Sequence, residues 1–400
     1  GGAGGVPSQE NLWKSLYYLE SLQLAELENF LQCNLQTSQT TKLNRVPTPE
    51  EATAILKERI DTVLQADPTA ALIYPLLLKG RVAVILKLPG QALRYYPTPI
   101  SQNHLGKVLE QLPKNLRFAG AKREVQQDAQ EVYQWLIEPL KVDLDSSQSK
   151  TLVFSLDTPL RNIPMAALYD GKEYLIEKYA VAVISGLELL HSQTQLREPL
   201  KALLAGLTET NQGYPPLKNV EGQFKKIESE VPSQVILNQA FTVTNFQKQS
   251  ESFSFPVIHI ATHGEFSSQP EETFIITWNG RLDANALGNL LKSRERISSE
   301  PIELLVLAAC QTAEGDKWAT LGLAGVAVKS GTRSTLATLW KISADESSGD
   351  LLSQFYRKLS DNPHLSKAEA LSLAQQEFLQ DRNRQAPYYW AAYVLIGNWL

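Results

Sequence analysis

The chain contains Leu304-Leu-Val-Leu-Ala-Ala-Cys-Gln-Thr-Ala313, an apolar run that ends at a cysteine. A second apolar run, Val257-Ile-His-Ile-Ala-Thr-His-Gly264, ends at a histidine followed by a glycine. Short runs of this kind are typical of strands that are buried on both faces of a parallel sheet. Because reacting groups gather at the carboxyl ends of such strands, the two runs predict that His263 and Cys310 lie at one edge of a sheet.

The C-terminal half of the chain alternates apolar runs with amphipathic ones. Predicted strands cover residues 202–205, 234–237, 256–261, 303–309 and 334–339. Predicted helices cover residues 220–230, 242–249, 284–292 and 321–330. A capping box at Ser366 and Glu369 opens a last helix, and an aromatic strand over 388–396 closes the chain. This alternation predicts an α/β fold over residues 199–400, with a mainly parallel sheet and helices on both faces.

A smaller α+β subdomain is predicted over residues 67–190. It has three short strands joined by glycine turns, then two helical patterns and a β-branched run over 151–156. Residues 1–50 read as an amphipathic helix followed by a polar linker, which we interpret as the stub of a lost upstream region. The opening Gly1-Gly-Ala-Gly-Gly5 resembles a cloning remnant.

Composition excludes several classes of protein. With 43% apolar and 20% charged residues, the chain of 400 residues has the make-up of a folded globular protein. Its net charge of −5 gives no basic field for nucleic acid, and no run reaches the roughly 18 apolar residues of a membrane span. Cys33 and Cys310 are too few for a disulfide framework, which favours a reducing, cytoplasmic compartment. No zinc spacing or phosphate-binding loop occurs, so neither a metal nor a cofactor is expected.

Six segments resemble one known family and follow its order. They cover residues 160–170, 173–179, 261–264, 307–313, 334–341 and 388–397. The set resembles the CHAT domains, caspase-fold cysteine peptidases that are related to separase and often end helical-repeat proteins in bacteria. The cyanobacterial branch is the most similar, and the resemblance runs from residue 71 to the C-terminus. It therefore implies a caspase-like sheet for residues 199–400.

The resemblance also implies roles for individual residues. Cys310 would attack the scissile carbonyl as a thiolate, and His263 would promote that attack and protonate the leaving amine. Backbone N–H groups of Gly264 and Cys310 would form the oxyanion hole. The substrate would be a protein cut internally, and an upstream repeat or sensor region, or an activating partner, would gate the site. The polar stretches 265–272 and 311–317 are the loops that such a trigger would order.

One departure from the family concerns the substrate groove. Relatives that cut after Lys or Arg carry an acidic residue two positions before the cysteine, where this chain has Ala308. Asp316 is a candidate lining residue of the groove, with a solvated loop carboxylate as the alternative reading. A small or apolar residue before the cleaved bond is therefore expected.

The same residues are also compatible with other functions. A glutamine amidotransferase also uses cysteine and histidine on an α/β sheet, but its cysteine stands at a glycine-flanked elbow that is missing here. A catalytically silent CHAT scaffold that binds a partner protein is the main alternative. His259, inside its strand, is expected to be a packed core residue, and Glu265 and Asp283 are candidates for orienting His263.

Overall fold

The computed structural model describes residues 6–31, 48–186, 200–252, 255–297, 301–308, 311–312, 326, 329–342 and 347–400. By its internal contacts the chain divides into two compact units, residues 1–115 with 123–194 and residues 116–122 with 195–400. No helix among the described residues is both long and apolar enough to cross a membrane.

The first unit begins with two helices that pack on each other, α1 (Gln9–Leu31) and α2 (Pro49–Ala66). The apolar stripe of α1 is buried, as its spacing predicts. Helix α2 was not predicted, although its start carries a clear signal. Thr48 accepts a hydrogen bond from the backbone of Glu51, and the Glu51 carboxylate accepts one from the backbone of Thr48, so the two residues form a capping box.

The sheet of the first unit mixes antiparallel and parallel pairing. Its strand order is β3-β2-β1-β4-β5, antiparallel among β1, β2 and β3 and parallel from β1 through β4 to β5. The strands are β1 (Ala70–Leu78), β2 (Arg81–Lys87), β3 (Arg94–Pro99), β4 (Thr151–Ser155) and β5 (Ala180–Ile184). The helices that follow α2 are α3 (Gln102–Asn115), α4 (Lys122–Leu136), α5 (Lys141–Ser146) and α6 (Leu175–Lys178).

The second unit contains a mainly parallel sheet with the order β15-β14-β12-β8-β6-β7, in which β15 alone is antiparallel to its neighbour. The fold class is therefore the α/β class that the sequence predicts. The strands are β6 (Ala202–Gly206), β7 (Ser233–Leu237), β8 (Val257–Ala261), β12 (Leu304–Ala308), β14 (Ser334–Thr338) and β15 (Tyr393–Gly397). The helices are α7 (Val220–Glu230), α8 (Val243–Ser252), α9 (Ala284–Ile297), α10 (Ser347–Asp361), α11 (Lys367–Gln380) and α12 (Pro387–Trp390).

The end of the chain corrects the predicted strand over 388–396. Pro387 opens the short helix α12, and β15 begins only at Tyr393. Proline at the first helical position has its backbone angle preset for a helix, which favours α12 over an earlier strand. The capping box predicted at Ser366 and Glu369 is confirmed, with reciprocal hydrogen bonds of 3.1 and 2.9 Å.

A second, small sheet was not predicted. It has the order β11-β10-β9-β13 and lies beyond the carboxyl ends of β8 and β12 along the chain. Its strands are β9 (Gly264–Phe266), β10 (Phe274–Thr277), β11 (Gly280–Asp283) and β13 (Gln311–Thr312). The stretches 265–272 and 311–317, expected to be loops, thus each begin within a strand.

Candidate active site

His263 follows the fully buried strand β8, and its backbone is fixed to β10. The Thr262 hydroxyl donates a hydrogen bond to the Ile276 carbonyl at 2.7 Å, and the Ile276 N–H donates to the His263 carbonyl at 2.8 Å. The apolar run before Thr262 forms strand β8. The two hydrogen bonds to Ile276 fix the backbone at the point where the chain leaves that strand. The result is a histidine of fixed backbone position at the carboxyl end of a central strand, as the sequence predicts.

The imidazole of His263 is held by a loop that the sequence did not indicate. Its Nε2 lies 2.7 Å from the Pro215 carbonyl oxygen. The ring stacks on Tyr214, with centroids 5.0 Å apart and planes inclined by 28°. A carbonyl oxygen can only accept, so Nε2 must carry the proton that makes this bond. In the neutral ring Nδ1 then holds the free lone pair, and no described residue bonds to it.

The surroundings favour the neutral form of His263. Burial lowers its pKa below the ordinary value, because a half-buried imidazolium loses hydration. The hydrogen bond to Pro215 acts in the opposite direction, and the positive charge of Lys341 lowers the pKa further. A neutral imidazole with a free Nδ1 can accept a proton from a thiol, which is the chemistry of a general base.

Cys310 lies outside the described residues, as do Cys33 and Asp316. The nearest described residues are Ala308, two positions before Cys310, and Gln311, directly after it, and each is paired with a residue near His263. Ala308, the last residue of β12, pairs with Ala261 in β8. Gln311, the first residue of β13, pairs with Glu265 in β9. Residues 309–310 therefore connect β12 to β13 along the chain, and Thr262 and His263 connect their partner strands, β8 and β9.

Gly264 occupies a particular position in the small sheet. It pairs with Ile275, one step along from the pair in which Ile276 donates to the His263 carbonyl. Hydrogen-bonded and non-hydrogen-bonded pairs alternate along an antiparallel ladder. Gly264 is thus at a non-hydrogen-bonded position relative to β10, so its N–H is directed to the other side of β9, where β13 pairs.

The remaining predicted residues have other positions. Ala308 is buried at the end of β12, with 5% of its surface exposed. The Asp283 carboxylate accepts a hydrogen bond of 2.7 Å from the Ala286 N–H at the start of α9, and the described partner of His263 Nε2 is the Pro215 carbonyl, not Asp283. Glu265 lies in β9 and is half-buried. His259 is fully buried, which confirms it as a core residue. Within the described ranges, no cluster of three or more His, Cys, Asp and Glu side chains could hold a metal ion.

Comparison with solved structures connects this arrangement to a known fold. A chain in the crystal structure of the Saccharomyces cerevisiae separase–securin complex superposes with a TM-score of 0.61 at 11% identity, over 97% of this chain. This chain spans 34% of the length of that one. The Arg-specific cysteine proteinase gingipain R superposes over 74% of this chain and 75% of its own, with 8% identity and a TM-score of 0.43. Comparison with curated proteins gives no match.

The chain therefore has an α/β fold similar to that of the separase chain, with His263 at the end of a central strand. Residues 126–398 match the family model described as the CHAT domain. Because this match covers more than half of the sequence, the chain belongs to the CHAT domain family.

Proposed function

We propose that the chain is a cysteine endopeptidase in which Cys310 and His263 hydrolyse peptide bonds of a protein substrate. The observation that carries the proposal is the strand register on either side of the two residues. Ala308 pairs with Ala261 and Gln311 with Glu265. Gln311, the partner of Glu265, directly follows Cys310. Paired strands lie about 4.8 Å apart, and consecutive Cα atoms are about 3.8 Å apart. Such spacing supports a direct encounter of the Cys310 thiol with His263.

The protonation state of His263 suits this reaction. Its Nε2–H is bonded to Pro215, so Nδ1 is the nitrogen that takes the thiol proton. The thiolate then forms a bond to the scissile carbonyl carbon and a tetrahedral oxyanion. As the C–N bond breaks, the imidazolium returns its proton to the leaving amine. Water hydrolyses the thioester that remains, which releases the new carboxylate and restores the thiol.

The backbone supplies the stabilisation of the oxyanion. The N–H of Gly264 is directed away from β10, towards the side on which β13 follows the cysteine. With the N–H of Cys310, it would give two donors for the developing negative charge. Removal of one such donor typically slows catalysis by about 10²–10³-fold. Glycine at position 264 also leaves room for a substrate backbone.

We further propose how the rest of the chain serves this site. Residues 199–400 form the catalytic subdomain, 67–190 a smaller α+β subdomain, and 1–50 an N-terminal helix and linker. Ala308 and Asp316 line the substrate groove. An upstream repeat or sensor region, or an activating partner, gates the site. The crystal structure that contains the similar separase chain is a complex with another protein, securin. This agrees with a protein ligand for the present chain. Two cysteines in 400 residues favour the cytoplasm.

The test combines labelling with cleavage. A peptide that carries an acyloxymethyl ketone should label Cys310 in the wild-type chain, and mass spectrometry should find the adduct there and not on Cys33. Cys310→Ala and His263→Ala should each abolish cleavage of a peptide library, whereas Cys33→Ala should retain the wild-type rate. Thermal unfolding of each variant verifies that the fold is kept. Full activity of either site variant would overturn the assignment, and a folded chain that is never labelled would favour the silent scaffold.

A further inference from the structure

The loop of residues 208–215, here called the support loop, carries both groups that contact the His263 ring. It begins just after β6 and is fixed at its start by one side chain. The Asn238 Oδ1 accepts hydrogen bonds from the backbone N–H groups of Thr208 and Glu209 at 2.7 and 3.3 Å, and its Nδ2 donates to the Thr208 hydroxyl at 2.8 Å. Asn238 itself has a φ of 50°, so its backbone adopts the left-handed form that asparagine tolerates.

The middle of the support loop is a tight turn. The backbones of Asn211 and Tyr214 exchange hydrogen bonds of 3.2 and 2.8 Å. Between them, Gln212 and Gly213 both have positive φ, 49° and 83°. This is the geometry of a two-residue hairpin turn, which sends the chain back on itself. Tyr214 and Pro215 are thereby presented together, one to the face of the imidazole and the other to its Nε2.

Two side-chain amides fasten this turn to the hairpin of β10 and β11. The Asn211 Nδ2 donates to the Trp278 carbonyl at 2.9 Å and to the Thr277 carbonyl at 3.3 Å. The Gln212 Nε2 donates to the same two carbonyls, at 2.7 Å from Thr277 and 3.4 Å from Trp278. Both amides therefore converge on one pair of backbone acceptors, although Gln212 is exposed and Asn211 is half-buried.

We infer that Asn211 and Gln212 are positioning residues, which hold His263 in the tautomer and orientation that leave Nδ1 free for Cys310. The inference rests on the proposed function. The Pro215 carbonyl and the Tyr214 ring can hold the imidazole only while the turn stays in place. The amides of Asn211 and Gln212 bind the turn to the hairpin, and neither of these two residues belongs to the apolar core. Their loss should therefore move the histidine without unfolding the sheet.

Replacement of each amide by a carboxylate gives a sharp test. Asn211→Asp and Gln212→Glu keep the size of the side chain but place an acceptor in front of two carbonyl oxygens, which repels the turn. The matched control is Gln247→Glu, which removes an exposed amide donor on α8 that bonds Glu251 at 2.9 Å. Gln247→Glu makes the same amide-to-carboxylate change at a residue that does not contact the support loop.

The first measurement does not depend on activity. In the Cys310→Ala background, ¹⁵N NMR of the imidazole should show one tautomer, protonated at Nε2, in the parent and in Gln247→Glu. The double variant Asn211→Asp/Gln212→Glu should show a mixture of the two tautomers, with unchanged thermal unfolding. With Cys310 present, its kcat should fall by about tenfold to a hundredfold, the usual cost of a misplaced catalytic group, while KM changes little. An unchanged tautomer in a folded double variant would overturn the inference, even if the chain proves to be a protease. Loss of Nε2 protonation in the double variant would support it, even if no peptide is cut.

Discussion

The Nδ1 of His259 lies 3.2 Å from the hydroxyl oxygen of Tyr356 on α10, and the two rings stack. The other ring nitrogen, Nε2, is buried with no hydrogen-bond partner among the described residues. Burial lowers the pKa of His259 from 6.5 to about 3. His259 is therefore neutral in the folded chain at neutral pH.

The first prediction follows from this buried neutral histidine. Between pH 6.5 and about 3, His259 binds a proton in the unfolded chain but not in the folded one, so the folded state loses stability as the pH falls. The contribution is about 1.4 kcal/mol per pH unit in that window. His259→Leu should flatten the acid side of a plot of unfolding free energy against pH, measured with urea. Tyr356→Phe, the control, removes the partner hydroxyl and should keep the wild-type slope. Parallel curves for wild type and His259→Leu would contradict the prediction.

The second prediction concerns the close approach of β6 to β8. A methyl group at Gly206 would meet the Ala261 carbonyl oxygen at 2.7 Å and side-chain atoms of Val220 and Phe224 at 2.9 and 3.1 Å. The carbonyl is backbone and cannot turn aside, so Gly206→Ala should destabilise the fold by about 1–3 kcal/mol. Gly222→Ala, on the exposed face of α7, meets nothing within 4 Å and should stabilise by about 0.5–1 kcal/mol. Chemical denaturation measures both, and equal stability of the two variants would show that the contact is absent.

The position of His263 and the strand before Cys310 could be predicted because each depends on a local pattern. An apolar run of five or six residues defines a buried strand, and the residue that follows it lies at the sheet edge. The bond between His263 and Pro215 could not be predicted in this way, because it joins residues 48 positions apart. The segment Asn211-Gln-Gly-Tyr-Pro215 indicates a turn, but a turn signal does not tell which side chain the turn will face.

The small sheet was missed for a different reason. Strands of two to four residues, such as β9 and β13, are too short for alternation or apolar periodicity to be read. Helix α2 was missed although Thr48-Pro-Glu-Glu51 contains a capping box and a proline at the first helical position. The polar stretch just before it suggested a linker, and the weak apolar stripe did not overrule that interpretation. Local signals were thus present for α2 and absent for β9 and β13.

The third prediction concerns the residue that precedes the cleaved bond. Ala308 stands two positions before Cys310, where relatives that cut after Lys or Arg carry an acidic residue. The wild-type chain should therefore prefer a small or apolar residue there. Ala308→Asp should shift the preference towards Lys and Arg, because a carboxylate with little hydration binds a cationic side chain strongly. A positional peptide library measures the preference, with the uncharged Ala308→Asn as the matched control. A clear Lys or Arg maximum in the wild-type chain would contradict the prediction.

The fourth prediction concerns Lys341, an exposed residue three positions after β14. Its positive charge disfavours the imidazolium and so lowers the pKa of His263, in addition to the larger effect of burial. Lys341→Gln removes that charge, so the pKa of His263 should rise. NMR titration of the ring in the Cys310→Ala background should then show a midpoint at higher pH. In the active chain, the acid limb of kcat/KM should move to higher pH as well, because the base becomes protonated earlier.

Salt and a matched lysine variant test the cause of that shift. Added salt screens an exposed charge, so it should raise the midpoint of His263 in the wild-type chain and change it less in Lys341→Gln. Lys201→Gln removes an equally exposed charge just before β6, at the end of that strand remote from His263. This control should keep the wild-type midpoint. A midpoint that stays in place in Lys341→Gln, or moves to lower pH, would show that Lys341 does not lower the pKa of His263 and that this pKa is set without it, by burial and the bond to Pro215.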